Sequence, residues 1–187
     1  MDVDKLEQAG ALLLEAIGAD SNSNTDLQDT PKRFAKMMTE RLAYQNINNK
    51  EIASQFMKVF PCKNNDMVVM KDIDEFSFCE HHIALMYNMK IAIGYIPNKY
   101  VIGLSKLARI ANAVCRRLQL QEKIGADIYD VLRMVIQTDD IIVFIEGEHS
   151  CMTARGIKKP GTKTRTIFTG GKFKQPETKQ LFFDMMK

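Results

Sequence analysis

Histidine is almost missing from this chain, with three in 187 residues, and tryptophan is absent. No apolar run approaches the ~20 residues that a membrane-spanning helix needs, so no membrane association is expected. The opening Met1-Asp2-Val3-Asp4 lacks the basic stretch of a secretory signal, and the expectation is a cytoplasmic protein. In that compartment the four cysteines (Cys62, Cys79, Cys115 and Cys151) are expected to stay reduced rather than pair. Hydrophobic residues make up 45% of the chain, enough for a proper core, and the length suits one domain.

The scarce histidines are informative by position. All three sit beside cysteines, in Cys79-Glu80-His81-His82 and in His149-Ser150-Cys151. A thiolate and an imidazole spaced as Cys79-x-x-His82, joined by Cys151, make a three-ligand set for one Zn²⁺ ion. Three protein ligands with one open position describe a catalytic zinc, since structural sites are normally closed by four. His81 and His149 then remain for proton transfer. The same residues also fit buried free thiols whose neighbouring histidines share loops, although the pairing of two motifs favours the metal. Cys62 and Cys115 have no partner at ligand spacing and read as ordinary thiols.

The net charge of +3 hides an asymmetry. Met152 to Lys187 carries nine Lys and Arg against two Asp and Glu, so this segment is +7 and the rest of the chain −4. A basic segment suits nucleic acid, acidic lipid or a phosphorylated small molecule. Nucleic acid is disfavoured: no binding motif is present, and aromatics are thin (Phe168, Phe173, Phe182, Phe183). Many of these lysines also fit a plain solvated face. Gly156 to Thr164 has the outline of a phosphate-binding P-loop, but a residue intrudes between Gly161 and Lys163. The residues that follow alternate like a strand where a P-loop must open a helix, so that motif is rejected.

Apolar spacing predicts a helix over Leu6 to Ile17, a polar loop over Asp20 to Asp29, and a helix over Lys32 to Tyr44 opened by an N-cap at Thr30 and by Pro31. Strands are expected over Met67 to Ile73 and Lys90 to Ile96. A turn at Pro97-Asn98 and a helix capped by Ser105 and reaching Leu118 come next. A second helix runs over Glu122 to Gln137, then strands over Ile141 to Ile145 and Thr164 to Thr169, and a last helix over Pro176 to Met186. Strictly alternating βα units are missing, so the order predicts an α+β fold with antiparallel pairing. We expect a helical region over residues 1–66 and a catalytic region over 67–187, within a single domain overall.

Further residues suit a phosphorylated nucleotide. Lys106 and Arg109 lie three apart in the first turns of a helix, whose N-terminus already favours anions, although an ordinary solvated helix face accounts for them equally. Arg155, four residues after Cys151, suits bidentate phosphate contact. Glu122 offers a carboxylate to a donor-rich base edge, or simply starts a helix.

Taken with Thr30-Pro31-Lys32-Arg33, Tyr95-Ile96-Pro97, Val101-Ile102-Gly103-Leu104-Ser105-Lys106, Gln119-Leu120-Gln121-Glu122 and Ala154-Arg155-Gly156, the two Cys/His motifs mark a sequence that resembles the GTP cyclohydrolase I family over most of its length. The resemblance implies the tunnelling fold, with an antiparallel sheet and a helix pair joined into an oligomeric barrel, and a homodecamer of two pentamers with sites shared between subunits. It implies that GTP and water give formate and 7,8-dihydroneopterin triphosphate. It also implies Cys79, His82 and Cys151 as zinc ligands, His81 and His149 as proton-handling groups, and Glu122 as the guanine-binding carboxylate. Gln121 and Ser105 match pocket positions, and Arg33, Lys106, Arg109 and Arg155 match triphosphate contacts. Two other readings are weighed against it. One is a related nitrile reductase, which uses a cysteine nucleophile and NADPH. The other is a non-catalytic zinc-stabilised domain that binds nucleic acid. The segment Lys158 to Arg165 is more basic than is usual in the family, which leaves the role of Lys163 and Arg165 open.

Overall fold

A computed structural model describes residues 1–19 and 25–187, so the first half of the expected loop from Asp20 to Asp29 lies outside the described residues. Contacts divide the chain into two compact units, Met1–Ala43 and Tyr44–Lys187.

The first unit is a helix pair, α1 (Val3–Ala16) and α2 (Thr30–Arg41), with a 3₁₀ turn at Thr25–Leu27 between them. Asp2 caps α1 by accepting from the Lys5 backbone N–H at 3.1 Å. Gly10 lets the helices approach: a Cβ there would lie 3.1 Å from Pro31 Cα and 3.2 Å from the Phe34 ring. Thr30 is not the N-cap of α2 as expected. That position is Asp29, without a side-chain cap bond, and Pro31 occupies the first turn, where no backbone N–H is needed.

In the second unit, α3 (Asn49–Ser54) and β1 (Val59–Pro61) lead into a mixed five-stranded sheet of order β5-β2-β3-β6-β7. Its strands are β2 (Val68–Cys79), β3 (Ala84–Tyr95), β5 (Leu118–Gln119), β6 (Ile141–His149) and β7 (Lys163–Thr169). The short β4 (Tyr100–Ile102) pairs only with β1. The long helices α4 (Leu104–Cys115) and α5 (Gln121–Ile136) pack on one face, and α7 (Pro176–Met185) closes the chain on the other.

Alternation along the strands explains the layering. Met89, Ile91, Ile93 and Tyr95 of β3 join Leu107, Ile110, Val114, Ile124, Ile128 and Val131 in the main core. Each such side chain contributes roughly 1.5–3 kcal/mol when fully buried. Ala92 and Ile142 point the other way, to Phe173 and Phe182. A Cβ on Gly94 would come within 2.6 Å of the Phe182 ring, so only glycine lets α7 lie this close.

Antiparallel pairing holds through β2, β3, β6 and β7, but β5 runs parallel to β2, with Cys79 opposite Gln119. The expected helix to Leu118 therefore stops at Cys115. It is capped by Gly103 rather than by Ser105, and Arg116 leaves helical geometry. Arg117, buried beside that break, donates to the carbonyl of Tyr44 at 3.2 Å, to Asn49 at 2.8 Å and to Asp127 at 3.1 Å. Both central strands are longer than expected. Bulges with Asp72 and Asn88 in left-handed geometry break their alternation without ending the ladder.

Candidate metal centre and active site

One end of the sheet carries the chemistry. β2 finishes on Cys79 and β6 on His149, and each pairs with β3, through Ala84 and Met86. Cys79 and Cys151 therefore leave the sheet on either side of β3. In the turn 80–83, with Ile83 in left-handed geometry, His82 folds back so that its Nδ1 lies 3.8 Å from Cys79 Sγ. A single helical turn, α6 (Ser150–Thr153), follows β6 directly and supplies Cys151. The three ligand atoms lie within 4.8 Å of one another, a meeting that no other Cys, His, Asp or Glu trio makes among the described residues.

The donor set fits a zinc ion. Tetrahedral zinc bonds of about 2.0–2.3 Å place neighbouring ligand atoms ~3.4–3.8 Å apart, a small contraction from what is observed. Burial, and then the adjacent Cys79, push the Cys151 thiol pKa up, because two thiolates cannot sit side by side without a cation between them.

α6 is held in place by a short relay. Tyr87 donates to Glu148 at 3.3 Å, so it accepts from Thr153 at 3.0 Å, while Asn88 donates to the other Glu148 oxygen at 3.0 Å. No sequence motif marked this tether. Arg155, beyond α6, donates to Nε2 of His82 at 2.8 Å.

His149 is half-buried, and its Nε2 lies 2.8 Å from Oε1 of buried Gln121. Burial lowers its pKa, and the negative charge of Glu122 partly opposes this. Gln121 and Glu122 open α5 side by side, the first directed inward and the second exposed.

The other expected residues are more scattered. His81 is exposed in the turn, with its ring centroid 6.2 Å from that of His82. Ser105 and Arg109 are exposed on α4. Lys106 donates to the carbonyls of Phe56 at 3.3 Å and Lys58 at 2.7 Å. Arg33 belongs to the first unit and pairs with Asp29 at 3.6 Å. Lys163 and Arg165 both bind Glu146 across the β6–β7 ladder, at 2.7 and 2.6 Å, which gives the basic segment a structural task.

The sequence model of the family GTP cyclohydrolase I matches residues 6–187. The chain belongs to that family. Its relatives include proteins named GTP cyclohydrolase 1 in three clostridia. That of Clostridium botulinum strain Langeland is 54% identical over 179 residues, covering 92% of this chain and 91% of that protein. The Clostridium beijerinckii protein is 49% identical over 179 residues, covering 92% and 90%. The Clostridium acetobutylicum protein is 47% identical over 183 residues, covering 95% and 93%. Among solved structures, the apo crystal structure of the archaeosine synthase QueF-Like aligns with a TM-score of 0.47 and 14% identity, over 58% of this chain and 97% of that one.

Proposed function

We propose that this enzyme converts GTP and water to formate and 7,8-dihydroneopterin triphosphate, with Cys79, His82 and Cys151 holding a zinc ion. The observation that carries the reading is the convergence of those three ligand atoms within 4.8 Å, in a chain of this family. Zinc held there supplies the Lewis acidity that activates water near neutral pH.

The chain's own groups do the rest. His149, beside the ligand Cys151, delivers a proton to N7 of the guanine, which makes C8 more electrophilic. His81, exposed in the turn beside His82, exchanges protons in the later ring-opening steps. Glu122 accepts from N1–H and the 2-amino group, a contact that adenine cannot satisfy. Ser105 and Gln121 belong to the pocket, and Arg33, Lys106, Arg109 and Arg155 take the triphosphate.

The assembled form belongs to the same proposal: a tunnelling fold closed into an oligomeric barrel, as a decamer of two pentamers with sites shared between subunits. Exposed apolar residues such as Phe60, Phe76 and Leu85, together with the edge strands β5 and β7, support association. A time course with GTP, following formate and the fluorescent oxidised pterin together on protein of measured zinc content, tests the reaction. Equal yields of the two products are expected. Pterin without formate, or neither product from zinc-loaded protein, overturns the reading.

A further inference from the structure

The ladder between β3 and β6 is broken once, close to the site. Between the pairs Tyr87–Glu148 and Lys90–Glu146, β3 carries one residue more than β6, with Asn88 in left-handed geometry at the bulge. The extra residue lets Met86 and Met89 both enter the core, each 0% exposed, and leaves Tyr87 and Asn88 beside Glu148. A carboxylate only accepts, so the Tyr87 hydroxyl gives its hydrogen to Glu148 at 3.3 Å and takes one from Thr153 Oγ1 at 3.0 Å. Asn88 Nδ2 donates to the second Glu148 oxygen at 3.0 Å, so the carboxylate is held at both oxygens. Thr153 ends α6, and α6 cannot hold itself. It is a single turn of four residues, too short to be stable alone, with no side-chain cap and no buried residue. Apart from the thiol of Cys151 beside Cys79, Thr153 makes the one side-chain hydrogen bond from α6 to the sheet among the described residues.

We propose that Tyr87 is a positioning residue for the metal: through Thr153 it holds α6 against β3, and so keeps Cys151 within reach of Cys79 and His82. The relay touches neither the metal position nor the substrate, and it acts only through the placement of that one thiol. Cys79 ends a strand that is paired on both sides, to Ala84 and to Gln119. Cys151 rides instead on a one-turn helix whose far end is fastened by two hydroxyls. Loosening α6 therefore frees one ligand and leaves the other thiol in place. The pair Tyr87–Thr153 is a latch that sets how slowly zinc is given up, and the bulge at Asn88 is what aims the latch.

This inference rests on the zinc ligands proposed above, and its readout is metal release rather than turnover. Zinc-loaded parent, Tyr87→Phe, Thr153→Val and the double variant are each mixed with the chromogenic chelator pyridylazoresorcinol, and the rate of zinc transfer is followed. Each single variant is expected to release zinc on the order of 10-fold faster, the usual cost of losing a partner behind a metal ligand. The double variant should match the singles, because both substitutions remove the same bond. Thr153→Val keeps the shape and Thr153→Ser keeps the hydroxyl, so Thr153→Ser should release zinc like the parent, a rescue that a packing role would not give. If Tyr87→Phe fails to fold, the two Thr153 variants decide alone. Parental release from Thr153→Val, effects that add in the double variant, or fast release from Thr153→Ser overturns the latch while the ligand assignment stands. A parent that takes up no zinc overturns the ligand assignment and the latch together.

Discussion

Arg155 and His82 are joined across 73 residues by a 2.8 Å hydrogen bond, in which the guanidinium donates to Nε2 while Nδ1 of the same ring faces Cys79 Sγ at 3.8 Å. Arginine has no acceptor, so the Nε2 lone pair points at it and the neutral ring carries its hydrogen on Nδ1; a metal held at Nδ1 needs the other tautomer and the loss of this contact. The cation proposed for triphosphate therefore rests against a proposed metal ligand, so the two proposed tasks meet at one side chain.

The first prediction separates those two tasks. Arg155→Ala should raise KM for GTP about 10–100-fold, the worth of one charge-assisted hydrogen bond, and change kcat far less. Steady-state kinetics with GTP check this, with guanosine as a comparison that the substitution should barely affect. An unchanged KM would leave Arg155 as a support for the His82 ring alone.

For the metal, Cys151→Ser and His82→Ala should each lose both zinc and nearly all turnover, whereas the parent carries about one zinc per chain. Cys62→Ser is the proper control, because Cys115 lies 1% exposed in the core, where a hydroxyl would cost stability for unrelated reasons. Metal analysis of the purified variants decides it. Full zinc in Cys151→Ser would dismiss that thiol as a ligand.

Glu75 supplies a pH-dependent prediction away from the site. Burial raises its pKa above 4.5, with a hydrogen bond from Asn112 at 3.0 Å acting in the opposite direction. The folded chain therefore holds this proton more tightly than the unfolded one. Ionised Glu75 weakens the fold above the raised pKa, and the penalty disappears as pH falls through it towards 4.5. Glu75→Gln keeps an acceptor for Asn112 and never ionises. Urea midpoints should favour the variant at pH 7, by a margin that shrinks on acidification; a margin independent of pH would contradict the assignment.

Much of this was legible in the sequence. The residues of the candidate metal group stood out because rare residue types fell at metal-binding spacing, and β6 was visible as an apolar run. The misses have physical causes. The helix α3 was overlooked, although Asn48 and Glu51 form a reciprocal capping box that marks its start. β5 is two residues long and pairs in parallel, which no local pattern announces. The inward turn of Gln121 depends on the Ile145 and Thr164 carbonyls, 24 and 43 residues away. No local pattern showed that the chain after α3 brings two carbonyls to the ammonium group of Lys106.

Two glycines make a paired stability prediction. Gly94→Ala should cost about 1–3 kcal/mol, because the new methyl meets Phe182 at 2.6 Å and Ile142 at 2.8 Å. Adding Phe182→Leu should recover part of the loss. Gly125→Ala, whose methyl would meet Phe168 only at an ordinary 3.5 Å, should instead stabilise α5 by roughly 0.5–1 kcal/mol. Chemical denaturation of the three variants tests the pair, and equal effects at both glycines would refute the packing account.

The position of Cys79 and Cys151 on either side of β3 also sets a tolerance. Strands two apart in a sheet are separated by roughly 10 Å at the backbone, and here the side chains and turns bring the candidate ligand atoms within 4.8 Å of one another. The sheet is the ruler for the metal. A slight shear of β2 against β6 changes the ligand span before it breaks any ladder bond. Strain introduced in the Phe182 layer, on the face away from α4 and α5, should therefore register first as weaker zinc retention in a chain that is still folded.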